Sequence, residues 1–256
     1  MTQALAVVLA AGKGTRMKSD LPKVLHSLAG APMLAHVLRS AASAGVSRSA
    51  LVIGPGMETV GEAGLTVAPG AQVYVQSEQM GTADAVKSAA AAYETADGPI
   101  LVLYGDTPLL RPETLKAVLG ELEAGADLVV IGFEAVDPTG YGRLLFDDKS
   151  RLAGIREEKD ATSAERALTF CNSGIMAFRS GKTLSGLIAR IGNDNAKGEY
   201  YLTDAVGLAY QDGLQTRVVL SHGDEVLGVN SRSELAVAEA LMQRRLRDTA
   251  MEHGAT

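Results

Sequence analysis

Between Val7 and Lys23 the chain reads VVLAAGKGTRMKSDLPK, which sets two glycines, Gly12 and Gly14, among four cations, Lys13, Arg16, Lys18 and Lys23. An apolar run from Ala4 to Leu9 precedes the glycines and reads as a buried strand. Glycines at a strand's end let backbone N–H groups approach a ligand closely, and fixed positive charges neutralise phosphate oxygens. The chemistry this combination serves is polyphosphate binding; a surface turn with solvated lysines is the plainer reading of the same residues. Two phosphate motifs are excluded. A Walker A loop needs a second glycine five positions after the first, and Met17 stands there. The dinucleotide fingerprint needs a third small residue, and Met17 again occupies that place. A second chemically able position is Asp106, in Tyr104-Gly105-Asp106-Thr107-Pro108, just past the apolar run Ile100–Tyr104. A carboxylate at a buried strand's C-terminal end suits Mg²⁺, which takes one or two carboxylates with phosphate oxygens. The alternative is a turn aspartate before Thr-Pro.

These residues need a scaffold, and the pattern predicts one. Short apolar runs at Ala50–Ile53, Gln72–Val75, Ile100–Tyr104 and Leu128–Ile131 read as further strands. Between them, helices are expected after Pro32 (Met33, Leu34, Val37, Leu38, Ala41), weakly over Met57–Ala63, over Thr82–Tyr93, and from Pro112 to about Glu123. Alternating apolar strands and helices indicate an α/β fold, a Rossmann-like, mostly parallel sheet covered on both faces. Ligands of such folds sit at the strands' carboxyl ends, where the glycine loop and Asp106 both fall. From Asp137 the pattern turns β-rich: a hairpin, Tyr141–Phe146 and Leu152–Glu157, turns at Asp147–Ser150, and Gly174–Phe178 is another strand. Helices over Gly181–Arg190 and Thr203–Gln211, a strand Thr216–Ser221 and a long helix Ser233–Met251 complete the chain.

Bulk properties remove several classes. The 256 residues, 46% apolar, suffice for one large α/β domain or two small ones. A net charge of −6 speaks against a nucleic-acid-binding surface and sets the N-terminal cations apart. Aromatic content of 4% without tryptophan argues against base-stacking platforms. The single cysteine, Cys171, cannot form an internal disulfide, and a reducing cytoplasm is the expected setting. No apolar run approaches the roughly 20 residues of a membrane span. No charged segment precedes the first apolar run, which therefore reads as a core strand rather than a signal peptide. His26, His36, His222 and His253 make no metal spacing and no triad.

Leu9-Ala10-Ala11-Gly12-Lys13-Gly14-Thr15-Arg16-Met17, followed by Leu21-Pro22-Lys23, resembles the signature of the sugar-phosphate nucleotidyltransferases, and within them the N-acetylglucosamine-1-phosphate uridylyltransferases. The resemblance runs along essentially the whole chain. It implies that backbone around Leu9, Ala10, Ala11 and Gly12, with Gly14, Gln76, Gly81 and Thr82, holds the nucleotide and its uracil. It implies a Mg²⁺ ion on Asp106 and on Asn230 of Gly228-Val229-Asn230, with Tyr104, Gly105 and Asp106 also binding substrate. An amide oxygen suits a hard cation, although an asparagine just ahead of a helix also caps it. Gly142 of Gly140-Tyr141-Gly142, Glu157 of Glu157-Glu158-Lys159-Asp160, and Asn172 match the amino-sugar segments in order. Lys197–Asp204 resembles a further sugar-pocket segment, but Thr203 as a helix N-cap explains much of it. One departure stands out: the family often carries Gly-Thr-x-His, and Asp84 replaces that histidine. Asp84 reads as a solvated residue of a helix's first turn.

The resemblance implies transfer of a uridylyl group from UTP to N-acetylglucosamine 1-phosphate, giving UDP-N-acetylglucosamine and pyrophosphate for cell-wall precursor synthesis. Arg16 is expected to stabilise the departing pyrophosphate and Lys23 to bridge the remaining phosphates. Residues 1–232 are expected to form the nucleotidyltransferase domain, 1–136 binding the nucleotide and 137–232 the sugar. Residues 233–256 form a terminal helix. Relatives of this type usually continue into a left-handed β-helix acetyltransferase, whose hexapeptide repeats do not occur here. The expectation is a truncated form or a one-domain homologue, monomeric or weakly oligomeric. Two alternatives stay open: another nucleotide or sugar 1-phosphate within the same chemistry, and a non-catalytic nucleotide-sugar sensor.

Overall fold

Leu5–Ala10 (β1) is buried at every position, because its consecutive side chains point to opposite faces of a sheet that is covered on both. Leu5, Val7 and Leu9 enter one core cluster; Ala6, Val8 and Ala10 enter the other. The computed structural model describes residues 3–255; residues 1, 2 and 256 of the expected domain ranges lie outside the described residues.

A small hairpin, Ser27–Leu28 (β2) and Ala31–Pro32 (β3), leads into helix Met33–Ser43 (α1). Arg48–Ile53 (β4), helix Glu58–Val67 (α2) and Gln72–Val75 (β5) follow. Two short helices, Thr82–Ser88 (α3) and Ala90–Tyr93 (α4), precede Ile100–Tyr104 (β6), helix Pro112–Glu123 (α5) and Leu128–Glu134 (β7). The β-rich part holds Gly142–Phe146 (β8), Leu152–Arg156 (β9), a helical turn Ser163–Arg166 (α6) and Phe170–Phe178 (β10). Helices Gly181–Ile188 (α7) and Asp204–Gln211 (α8), strand Thr216–Leu220 (β11) and helix Arg232–Glu252 (α9) end the chain.

The main sheet runs β11-β7-β10-β6-β1-β4-β5, with β8 and β9 attached beyond β10. All neighbouring pairs along it are parallel except those of β10, which is antiparallel to both β6 and β7. The reversal matters for the site. Phe178 pairs with Ile100 at the start of β6, so the other end of β10, with Asn172, comes to the edge where β6 ends. Helices α1, α2 and α5 cover one face, and α3, α4, α7 and α8 the other.

The α/β expectation thus holds, with corrections of detail. The helix expected over Thr82–Tyr93 breaks at Ala89 (φ −98°, ψ 18°). Tertiary packing overrides alanine's helix propensity there: fully buried Tyr93 sits against Gly181, where a Cβ would lie only 1.6 Å from the Tyr93 carbonyl oxygen. Strand β10 begins four residues earlier than expected, with an irregularity between Asn172 and Met176. The long helix begins at Arg232, capped by Ser231, whose hydroxyl accepts from the Glu234 N–H at 3.3 Å. The β2–β3 hairpin and α6 are too short for any periodicity to register; α6 exists through a capping box between Thr162 and Glu165. A third small cluster, Leu28, Met33, Leu109, Val229, Ala238 and Met242, packs α9 and the segment before it against the loop after β6. Among the described residues, no helix is long and apolar enough to cross a membrane.

Candidate active site

The glycine loop leaves β1 and closes in a 3₁₀ turn over Thr15–Met17. Met17 is fully buried, and the Arg232 guanidinium donates to its carbonyl at 2.9 Å, so the start of α9 holds the loop. The N–H groups of Gly12, Lys13, Gly14 and Thr15 donate to no group among the described residues. A run of free N–H groups of this kind forms an anion-binding concavity. Arg16 is exposed and makes no hydrogen bond or ion pair among the described residues. Lys13 lines the adjoining cleft, whereas Lys18 stands exposed outside it.

Gly14 has φ +62°, and a Cβ there would lie 2.5 Å from the Lys23 Cβ. Only glycine meets both demands without displacing Lys23. Gly14→Ala is expected to lose about 1–3 kcal/mol of stability, read as a Tm lower by several degrees, together with any activity that depends on Lys23. An unchanged Tm and rate in that variant would remove Gly14 from the machinery.

Lys23 reaches across the sheet's edge. Its ammonium pairs with the Asp106 carboxylate and donates to Asn230 Oδ1 at 2.8 Å. The Val229 N–H donates to the Asp106 carbonyl at 2.9 Å, which fixes the two segments together. Asn230 is not the cap of α9; that task falls to Ser231. Its own N–H donates to Glu234 at 2.7 Å and its amide nitrogen to Gly228, leaving Oδ1 turned toward Lys23 and Asp106. A carboxylate and an amide oxygen therefore converge on one cation. This oxygen-only pair fits a hard divalent ion that completes its shell with phosphate oxygens and water. No cluster of three or more His, Cys, Asp or Glu side chains that could hold a metal occurs among the described residues.

Next to this point lies a cleft of about 370 Å³ walled by Leu9–Gly12, Lys23, Gln76, Gln79, Gly81, Thr82, Tyr104, Asp106 and Glu199, among others. Of the expected nucleotide residues, Leu9–Gly12, Gln76, Gly81 and Thr82 share this cavity, while Gly14 lies outside its lining. Gln79 was not anticipated: its amide donates to the Ala11 carbonyl and shapes the cleft wall. Nothing in the local sequence marks it, since the bond joins residues 68 positions apart. Asp84 departs from the expected solvated role. Its half-buried carboxylate accepts from the buried Gln76 amide at 2.7 Å and from the Met80 N–H at 3.1 Å.

The expected sugar residues gather beyond Tyr104. Asn172 opposes Gly142 across β10 and β8, and a Cβ on Gly142 would lie 3.4 Å from the Glu157 carboxylate. Asn172 is buried, its Oδ1 accepting from the Gly174 N–H at 3.0 Å. Gly174 (φ +90°) lies against the Tyr104 ring, where a Cβ would come to 3.0 Å. Tyr104 thereby joins the two halves. Burial, with the Glu157 and Asp106 carboxylates nearby, pushes its phenol far above the ordinary value, so it stays protonated. Burial also raises the Glu157 carboxyl, against the opposing hydrogen bond from Thr203. Cys171 beside Asn172 is buried and free, and burial raises its thiol, as befits a packing residue.

The segment Lys197–Asp204 corrects another expectation. Thr203 precedes α8, yet its side chain caps nothing; Oγ1 donates to Glu157 Oε1 at 3.0 Å. The same segment crosses the base side: the Leu202 N–H donates to Thr82 Oγ1 at 2.9 Å, and the Tyr200 carbonyl accepts from the Ala83 N–H. A Cβ on Gly81 would lie 2.6 Å from that carbonyl, so glycine is required for the crossing.

Fold, glycine loop and a cleft lined by cations, a carboxylate and amides are those of a nucleotide-handling transferase, and the chain belongs to the MobA-like NTP transferase domain family, which matches residues 6–169. Over nearly its whole length the chain is also similar to proteins named Bifunctional protein GlmU. It is 57% identical to that of Azorhizobium caulinodans and 55% identical to that of Xanthobacter autotrophicus, each over 252 residues, 98% of this chain and 56% of the relative. Against the Rhodospirillum rubrum protein it is 54% identical over 258 residues, 100% of this chain and 56% of the relative. The chain spans about half the length of the curated relatives it matches.

Proposed function

We propose that this chain transfers the uridylyl group of UTP to N-acetyl-α-D-glucosamine 1-phosphate, releasing pyrophosphate. The observation that carries this reading is Lys23, held between Asp106 and Asn230 at the edge of a cleft whose walls are the glycine loop and Gln76. An oxygen of the sugar phosphate bonds to the α-phosphorus of UTP, and the bond from that phosphorus to the β-bridging oxygen breaks. The attacking oxygen is already ionised at neutral pH, so no general base is needed; positioning and charge neutralisation remain for the protein. The free N–H groups of Gly12–Thr15 and the unpaired Arg16 guanidinium receive the charge that grows on the leaving pyrophosphate. Lys23 neutralises the phosphates that stay. Asp106 and Asn230 would hold Mg²⁺, which when bound offsets the negative charge of the reacting phosphate oxygens. Gln76, Gly81 and Thr82 take the uracil; Gly142, Glu157 and Asn172 take the amino sugar.

The test is pyrophosphate release with Mg²⁺ over a grid of nucleoside triphosphates and sugar 1-phosphates. Turnover is expected with UTP and N-acetylglucosamine 1-phosphate; no release anywhere would leave only a binding role. The sugar side has its own test. Glu157 accepts from sugar hydroxyls when ionised, and Thr203 lowers its raised pKa. Thr203→Val removes that opposing donor, so the carboxyl rises further. The acid limb of kcat/KM for the sugar phosphate is expected to move to higher pH. The sign for stability agrees: a carboxyl raised in the folded state supports the fold most below its unfolded pKa, and that support is lost as pH rises through the folded pKa. Thr203→Val should therefore lose more stability near neutrality than in acid. An unmoved acid limb would take Glu157 out of the sugar contact.

A further inference from the structure

We propose that Asp84 is the residue that makes this site read a base carrying a ring N–H, uracil or thymine, and refuse cytosine, by fixing which end of the Gln76 amide faces the cleft. The inference rests on the reading that Gln76 meets the base.

Gln76 is buried, and its Nε2 has two hydrogens. One goes to the Gly81 carbonyl at 3.0 Å and the other to Asp84 Oδ2 at 2.7 Å. A carbonyl and a carboxylate only accept, so the nitrogen must face them; no exchange of oxygen and nitrogen satisfies both. The carboxylate's charge strengthens its bond. Asp84 is itself held, since Oδ2 also accepts the Met80 N–H at 3.1 Å. Gln76 Oε1 has no donor among the described residues and is not sealed from solvent, so it opens into the cleft as a pure acceptor. Close by, the Gly81 N–H donates to nothing among the described residues. An acceptor beside a donor matches the N3–H and O4 of uracil. Cytosine presents a lone pair and an amine at those two places, so both contacts become repulsive.

A glutamine alone could rotate its amide by half a turn and accept either pyrimidine. The turned state would bring Oε1 against the Gly81 carbonyl and the Asp84 carboxylate, and the carboxylate, being charged, is the stronger bar. Specificity thus comes from a repulsion built against the wrong base, supplied by a side chain that touches no substrate. Asp84 is a positioning residue. Thymine shares the N3–H of uracil, so Asp84 does not separate UTP from dTTP.

Asp84→Ala tests this. It removes the charged acceptor and leaves only the neutral Gly81 carbonyl to hold the Gln76 nitrogen, whereas Asn would keep its oxygen on the Met80 N–H and so on Gln76. The full chain is assayed with UTP, CTP and dTTP, and Kd is measured for UDP and CDP. The UTP:CTP ratio of kcat/KM and the UDP:CDP ratio of Kd are expected to fall about tenfold to a hundredfold, the effect of one or two mismatched hydrogen bonds. The UTP:dTTP ratio is expected to stay within twofold, and Asp84→Glu, which restores a pure acceptor, to recover part of the lost discrimination. An unchanged UTP:CTP ratio, or a parallel loss with every nucleotide, would overturn the proposal. Should Asp84→Ala not fold, Asp84→Leu is read by the same ratios. A wild-type protein inert toward UTP would refute the uridylyl reading instead, which keeps the two failures distinct.

Discussion

Arg16→Ala is expected to lower kcat by on the order of 10²–10³, the usual result of deleting one donor aimed at developing charge. The fold should not notice. Arg16 is exposed and makes no hydrogen bond or ion pair among the described residues, and alanine suits a 3₁₀ turn. The turn itself is anchored by buried Met17 and by Arg232 on its carbonyl. Tm is therefore expected within about 1 °C of wild type, as for a surface change away from any cap or core. The kinetic loss should fall on kcat rather than on KM for UTP, since charge on the leaving group grows only toward the transition state. Steady-state pyrophosphate release and a thermal melt on the same preparation check both halves. A rate within a few fold of wild type would return Arg16 to the solvated surface.

Asp106→Asn is expected to have an effect at least as large, about 10³-fold in kcat, with a different signature. The substitution keeps the shape of the side chain and removes its charge. Two consequences follow at one point: the divalent ion loses its carboxylate, and Lys23 loses its counter-charge. The Mg²⁺ concentration giving half-maximal rate should rise at least tenfold, and added Mg²⁺ should recover part of the rate. Titration of activity against Mg²⁺ in both proteins reads this directly. A low rate with an unchanged Mg²⁺ requirement would mean that Asp106 acts through Lys23 alone.

Much of the scaffold was legible because it rests on local signals. Apolar runs marked β1, β4 and β6, and Pro112 marked the start of α5, since burial and helix initiation are written into neighbouring residues. The glycine loop and Asp106 could be singled out because a strand end followed by glycine, cation or carboxylate has few other uses. What stayed hidden was decided by partners outside each element. The reversal of β10 between two parallel neighbours leaves no mark on its own sequence. Thr203 looked like a cap because threonine before a helix usually is one, yet its hydroxyl found a buried carboxylate 46 positions away. Asp84 looked solvated because a helix's first turn favours aspartate; the buried amide of Gln76, eight positions earlier and outside the helix, meets it instead. Thr203 and Asp84 thus each satisfied a polar group with a partner outside their own element.

The bond from Lys23 to Asn230 spans 207 positions. It closes a loop of nearly the entire chain, and such closure is favourable only after the sheet has brought its ends together. The cluster of Lys23, Asp106 and Asn230 therefore exists only while the start of α9 and the segment before it stay packed on Leu28, Met33 and Leu109. Fraying of that docked segment withdraws Asn230 from Lys23 and Arg232 from the glycine loop at once. Local unfolding at the end of the domain is thus physically linked to the residues clustered at its beginning, by the two bonds that this one segment makes.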